Sequence, residues 1–234
     1  MKKGFTLAEV LITLTIVGTI AVLTIPQVMQ DYKYKLYTTQ LKKVYSEISN
    51  GIELAKNTEN TDDFFETASF NATSDAHHGA QYFLTNYIKY INDYSCGASN
   101  TRCITAKIRG AEEPDVKLNY ESLDGTPIEN DDGKTGLYGQ YCAQTKTGAT
   151  ICAGFTGENE DARLIFTVDV NGINAPNTSG RDVFALFVTP DGLIEDGADV
   201  DKCGEVSDYF DGTAAKYSLG CLKSIMDNDW QMEY

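Results

Sequence analysis

Residues 5–25 read FTLAEVLITLTIVGTIAVLTI, an apolar run of 21 residues with a single charge at Glu9. Coiled as a helix, such a run extends roughly 31 Å, about one bilayer hydrocarbon core. A cleaved secretory signal has a shorter apolar stretch, about 7–15 residues, followed by a small-residue cut site. This run is longer and lacks a clear site, so it is expected to stay attached. Glu9 is the costly residue within it. A carboxylate in a spanning segment costs about 2.5–3.5 kcal/mol near the centre and less toward an end. Either Glu9 lies near the interface, where the cost is small, or it meets a positive partner when chains pack.

The rest of the chain has to fold beyond this span. The full chain's 234 residues allow one sizeable domain plus an appendage, and 42% hydrophobic with 23% charged residues is ordinary globular composition. The formal charge of −15 argues against broad contact with phosphate backbones, which needs a surplus of Lys and Arg. Six cysteines are present, none in a C-x-x-C pair, and the only histidines are the adjacent His77 and His78, read as a solvated polar loop. Metal sites want tighter Cys or His spacing, so disulfides in an oxidising compartment are the better reading. Lys2 and Lys3 precede the span while Lys33, Lys35, Lys42 and Lys43 follow it, which blurs the positive-inside bias. The cysteines decide the matter and place the C-terminal part outside.

From Gln27 to about Lys56, Tyr34, Tyr37, Leu41, Val44, Ile48, Ile52 and Ala55 recur at spacings of three and four, one face of a helix. Asn57, Thr58 and Asn60 supply a stop. A second helix is predicted from about Ala80 to Asn92, with Phe83, Tyr87 and Ile91 on its apolar side. Strand-like runs follow at Val116–Tyr120, Leu137–Gln144, Ala149–Phe155, Leu164–Val170 and Val183–Val188, with a turn at Pro190-Asp191-Gly192. Lys146-Thr147-Gly148 reads as a three-residue hairpin loop with glycine in the left-handed position. That register sets Cys142 opposite Cys152 and predicts a cross-strand disulfide.

The start, Lys2-Lys3-Gly4 followed by Phe5-Thr6-Leu7-Ala8-Glu9, resembles the class III signal of type IV prepilins and type II secretion pseudopilins. The resemblance implies cleavage between Gly4 and Phe5 by a membrane prepilin peptidase and N-methylation of Phe5. It implies that Glu9 pairs with the amino terminus of a neighbouring subunit during assembly, and that Pro26 is the helix-kinking proline. The block DVNGINAPNTSGRDVFALFV with its Asp191-Gly192 turn resembles the sheet region of many prepilin-type proteins, as does the C-terminal stretch with Cys203, Cys221 and Asp227-Asn228-Asp229-Trp230. A C-terminal disulfide often staples a surface loop in pilins, which implies Cys203–Cys221. Cys96 and Cys103 then remain, spaced for a local loop.

The expected fold is α+β and pilin-like, a long N-terminal helix packed on a small antiparallel sheet with disulfide-stapled loops. Its parts are a leader (1–4), a membrane and filament-core helix (5–26), an amphipathic helix (27–57) and an extracytoplasmic domain (58–234). The expected partners are other pilin or pseudopilin subunits, the peptidase, the inner-membrane assembly platform and the membrane itself. The expected place is the bacterial cytoplasmic membrane, single-pass with the domain outside, and then a pilus or a periplasmic pseudopilus. Length and disulfides lean to a pilus; the sheet motif leans to a pseudopilus.

Two loops are rich in oxygen-bearing side chains, one with Asp169, Asn171, Asn174, Asn177 and Asp182, the other with Asp191, Glu195, Asp196, Asp199 and Asp201. Calcium takes six to eight oxygen ligands, and Asp169, Asn171 and Asp182 are the residues to offer them. Glycine falls at the fourth place of that loop rather than the sixth, so the EF-hand template fails, and such residues more often form turns. No cofactor is expected. No G-x-S-x-G, H-E-x-x-H or G-x-x-x-x-G-K-[ST] occurs, and no enzyme is expected. Two rivals stand: a minor pilin binding DNA through a basic patch around Lys107 and Arg109, and a non-polymerising membrane-anchored envelope protein. No nucleic acid is expected on charge.

Overall fold

The structure is a computed structural model. It describes residues 4, 6–71, 76–89, 91–93, 105–106, 116–117, 120–128, 137, 139, 141–156, 163–172, 174–196, 202–207 and 217–234. Helix α1 runs Leu7–Glu59 as one element through Pro26. Proline has no amide hydrogen, so the Val22 carbonyl loses its donor one turn earlier. The helix stops at Asn60, whose φ of 54° is left-handed, with the Thr61 amide donating to the Lys56 carbonyl at 3.1 Å. That bond, two residues past the end and back to the last turn, is the mark of a Schellman stop.

The chain divides into two compact units, Met1–Leu36 and Tyr37–Tyr234. In the first, Leu7, Leu11, Ile12, Leu14, Val17, Ile20, Val22 and Leu23 are all exposed. Its threonines are turned inward on their own backbone: Thr13, Thr15, Thr19 and Thr24 donate to the carbonyls of Val10, Leu11, Ile16 and Ile20 at 2.8–3.0 Å. The threonine hydroxyls of this stretch are thus satisfied within the helix, as placing them in lipid requires.

In the second unit the helix buries Tyr37, Leu41, Val44, Ile48, Ile52 and Ala55, six of the seven positions that the periodicity marked. Tyr34 lies in the first unit and is half-buried. Short helices follow, a 3-10 turn at Phe64–Glu66, then α2 (Ala68–Asn71) and α3 (Ala76–Asn86). Helix α3 starts and ends earlier than predicted, and His77 and His78 lie in its first turn rather than in a loop. Ile91–Asp93 is strand β1, not helix. Pairing with the sheet decides that short stretch, which has too few residues for periodicity to arbitrate.

The sheet has six strands in the order β1-β4-β5-β6-β7-β8, with β4 Tyr141–Thr145, β5 Thr150–Thr156, β6 Arg163–Asp169, β7 Val183–Val188 and β8 Ile194–Glu195. Every neighbouring pair is antiparallel. Strands β2 (Thr105–Ala106) and β3 (Val116–Lys117) pair apart from it, as do β9 (Glu205–Ser207) and β10 (Tyr217–Leu219). Helix α4 (Cys221–Asp227) follows. Of the predicted strand at 116–120, Val116–Lys117 is β3 and Tyr120 is not in a strand, while 118 and 119 lie outside the described residues.

All six residues of β7 are buried, as an unbroken apolar run requires when both faces of a sheet are covered. On one face Ile165, Ala185 and Phe187 join Tyr120, Ile128, Cys152, Tyr217 and Leu219 in one core cluster. On the other, Phe83 of α3 packs on Phe166 with ring centroids 5.2 Å apart. Phe83 also lies against Gly51 of α1, where an added Cβ would meet its ring at 3.1 Å.

The β4–β5 hairpin is closed as predicted. Thr145 and Ala149 bracket the loop, with the Thr145 amide on the Ala149 carbonyl at 2.8 Å and Gly148 at φ 91°. Cys142 pairs with Cys152 in register and is bonded to it.

Candidate functional site

Two groups of the predicted residues define the candidate sites, one at the start of α1 and one at the far end of β6. At the first, Gly4 is exposed; Phe5, the expected methylation site, lies outside the described residues, as does the leader before Gly4. Glu9 stands in the first turn of α1 and is exposed. Its Oε2 accepts from the Thr6 amide and the Thr6 hydroxyl, both at 2.8 Å, while the Thr6 Oγ1 accepts from the Glu9 amide at 3.2 Å. This is a reciprocal capping box, which satisfies amides that a helix start leaves without partners. The sequence reading weighed Glu9 only as a charge. The signal that shows its second role, Thr followed three residues later by Glu, was present in Thr6-Leu7-Ala8-Glu9.

The second site is a buried knot. Asp169 ends β6 and Asp182 precedes β7, and both are 0% exposed. The loop between them folds back so that Asn171 bridges the two. Its amide donates to Asp169 Oδ1 at 3.1 Å and its Nδ2 to Asp182 Oδ2 at 3.0 Å. Asp182 also accepts the Asn177 amide at 2.9 Å and the Thr178 amide at 2.7 Å. Asp169 Oδ2 accepts the Tyr120 hydroxyl at 3.0 Å. The Ala175–Pro176 peptide is cis, and Gly180 takes φ 88° where a Cβ would meet the Cys221 sulfur at 2.8 Å. Only glycine fits there.

Burial, and then the charge of Asp182, push Asp169 well above the usual carboxylate range; the Tyr120 hydrogen bond pulls it back down. Asp182 is pushed up to about 6 by burial, against the opposing pull of the Thr178 and Asn177 amides. Burial and then the Asp169 charge raise the Tyr120 hydroxyl as well. Tyr37, the first buried residue of the second unit, is raised by its own burial and next by the charge of Asp182.

The structure therefore brings Asp169, Asn171 and Asp182 together, the two carboxylates as acceptors already engaged by N–H and O–H donors and Asn171 as one of those donors. Two buried amide oxygens, Asn171 Oδ1 and Asn177 Oδ1, have no hydrogen-bond partner. Among the described residues no group of three or more His, Cys, Asp or Glu is arranged to hold a metal. In this geometry the knot is a latch: Asp169 and Asp182 hold the amides of Asn171, Asn177 and Thr178, and Asp169 holds Tyr120.

Cys203 and Cys221 are bonded, as the resemblance implied, and bracket the β9–β10 pair. Cys96, Cys103, Lys107 and Arg109 lie outside the described residues. Sequence reasoning missed the role of Asp196, which it had grouped with loop acids. Helix α4 begins at Gly220, which has no side chain to cap it, and Asp196 Oδ2 accepts the Lys223 amide at 2.9 Å instead. Burial pushes Asp196 up to about 7, while the Lys223, Gly220 and Leu222 amides oppose the shift. No sequence signal could reveal this cap, because donor and acceptor lie 27 residues apart.

Compared with models of known protein families, with curated proteins and with solved structures, the chain shows no match in any of the three. What stands is an α+β protein with an N-terminal helix long and apolar enough to cross a membrane and with disulfide-bonded loops.

Proposed function

We propose that this protein is a non-catalytic subunit of a type IV pilus or a type II secretion pseudopilus. In this reading prepilin peptidase cuts after Gly4, Phe5 is methylated, and the chain waits in the membrane until it polymerises through its N-terminal helix. The observation that carries the reading is the helix of the first unit. Its large apolar side chains from Leu7 to Leu36 are exposed, and its hydroxyls are satisfied internally. Such a surface has to be covered by lipid or by other helices. The junction Gly4-Phe5-Thr6-Leu7-Ala8-Glu9 supports processing.

Two Glu9 variants test the assembly role. Glu9→Gln keeps a capping-box side chain at that position, whereas Glu9→Ala removes both cap and charge. If Glu9 pairs with a neighbouring amino terminus, both variants are processed normally and both fail to enter sheared filaments. Normal assembly of Glu9→Gln would reduce Glu9 to a helix cap. Membrane-extracted protein that keeps residues 1–4 in the presence of the peptidase would overturn processing and leave the anchored, non-polymerising alternative. Gene neighbourhood separates pilus from pseudopilus: motor and retraction genes on one side, secretin genes on the other.

A further inference from the structure

The membrane span can be set on α1 in two registers of equal length. Residues 5–25 carry Glu9 inside the span; residues 10–30 are wholly uncharged, with Glu9 at one edge and Asp31 at the other. Each window holds 21 residues, roughly 31 Å of helix. The second window moves the carboxylate to the interface, where its desolvation cost falls away. It also places Val28 and Met29, 65% and 55% exposed, in hydrocarbon rather than in water. Immediately beyond it stand Tyr32, Lys33, Tyr34 and Lys35. Tyr32 is 68% exposed, Lys33 and Lys35 are exposed, and the Tyr34 hydroxyl accepts from Gln30 Nε2 at 2.8 Å. Helical side chains lean toward the helix N-terminus, so all four reach back toward the span rather than away from it.

We propose that Tyr32, Lys33, Tyr34 and Lys35 form a lipid-interface collar, tyrosines at headgroup level and lysines on anionic headgroups, which fixes the span at 10–30. Amphipathic rings gather at the membrane–water boundary, and lysines beside a span bind anionic lipid. The two lysines outweigh Asp31, the one carboxylate among them. This rests on the membrane-anchored reading above and adds which residues hold the chain there and in which register. The collar would retain a stored subunit on lipid until assembly removes it.

The test uses the full chain in vesicles of phosphatidylcholine, alone or with about 30% phosphatidylglycerol as the anionic lipid. Trp230 is the single tryptophan, so Trp230→Phe gives a silent background for Tyr32→Trp, with Ile16→Trp as the mid-span control. The collar predicts that the reporter at 32 is quenched by lipids brominated near the headgroup end of the chains, and the control by lipids brominated at the chain ends. On the unaltered chain, tryptic cleavage after Lys33 and Lys35 should slow roughly fivefold or more with anionic lipid present, and recover at high salt. A deep control with a reporter at 32 open only to aqueous quenchers, and cleavage indifferent to lipid charge, would overturn the collar alone. A control at 16 that no brominated lipid quenches would overturn the collar and the anchored reading together.

Discussion

The two units of this chain solve the same problem, where polar groups find partners, over different distances. In the helix before Tyr37 each threonine bond closes within one turn, from Thr13 to Val10 or from Thr24 to Ile20. In the second unit the decisive bonds cross the sequence: Tyr120 to Asp169, the Ser218 amide to Ser179, and the Lys223 amide to Asp196 span 49, 39 and 27 residues. The first unit closes its threonine bonds locally and is incomplete in apolar cover. The second covers its apolar core, and its stability depends on long-range closure.

Removing residues 1–35 should therefore have the largest effect, turning a detergent-requiring protein into a folded, water-soluble one. Circular dichroism and gel filtration without detergent would check this, and a fragment that aggregates would break the comparison. Next in size is the double substitution Cys203→Ser with Cys221→Ser, expected to cost about 2–4 kcal/mol in denaturant unfolding. The same pair of changes should leave the helicity of the first unit untouched. Tyr120→Phe strips the hydroxyl from buried Asp169 and should cost about 1–3 kcal/mol.

A smaller effect comes from pH. Asp182 and Asp196 are raised to about 6 and about 7 from an ordinary value of 3.8. The folded chain holds their protons more tightly than the unfolded chain does. Their contribution is full below about pH 4 and is lost as pH rises through 6 and then 7. These two groups should therefore raise the melting temperature by a few degrees between pH 8 and pH 5, and Asp196→Asn should flatten the upper part of that curve. Smallest of all, millimolar calcium or a chelator should leave the melting temperature unchanged. A calcium-dependent rise abolished by Asp182→Asn would convert the latch into an ion site.

What the sequence disclosed follows the same division. The span, the buried stripe from Tyr37 to Ala55 and strands β4 to β7 are written in local periodicity. The hairpin needed only Lys146-Thr147-Gly148 to place Cys142 opposite Cys152. β1 is not legible as a strand in the sequence, because a three-residue edge strand takes its conformation from the strand beside it. The oxygen-rich loop stands out in the sequence, but its chemistry is not legible there. Whether Asp169 and Asp182 bind an ion or accept backbone amides depends on how the 170–182 segment folds, and on Tyr120, which comes from elsewhere in the chain.

The cap on α4 sets an order of events. Seven residues are too few to hold a helix by themselves, and this one starts at a glycine with nothing to offer its first amides. Its capping carboxylate arrives from Asp196, immediately after the strand that closes one edge of the sheet. The last helix thus has to wait for that edge to be laid down. Pulse-labelled hydrogen exchange should find the α4 amides gaining protection after those of β6 and β7, so that the end of the chain records whether the sheet has finished folding.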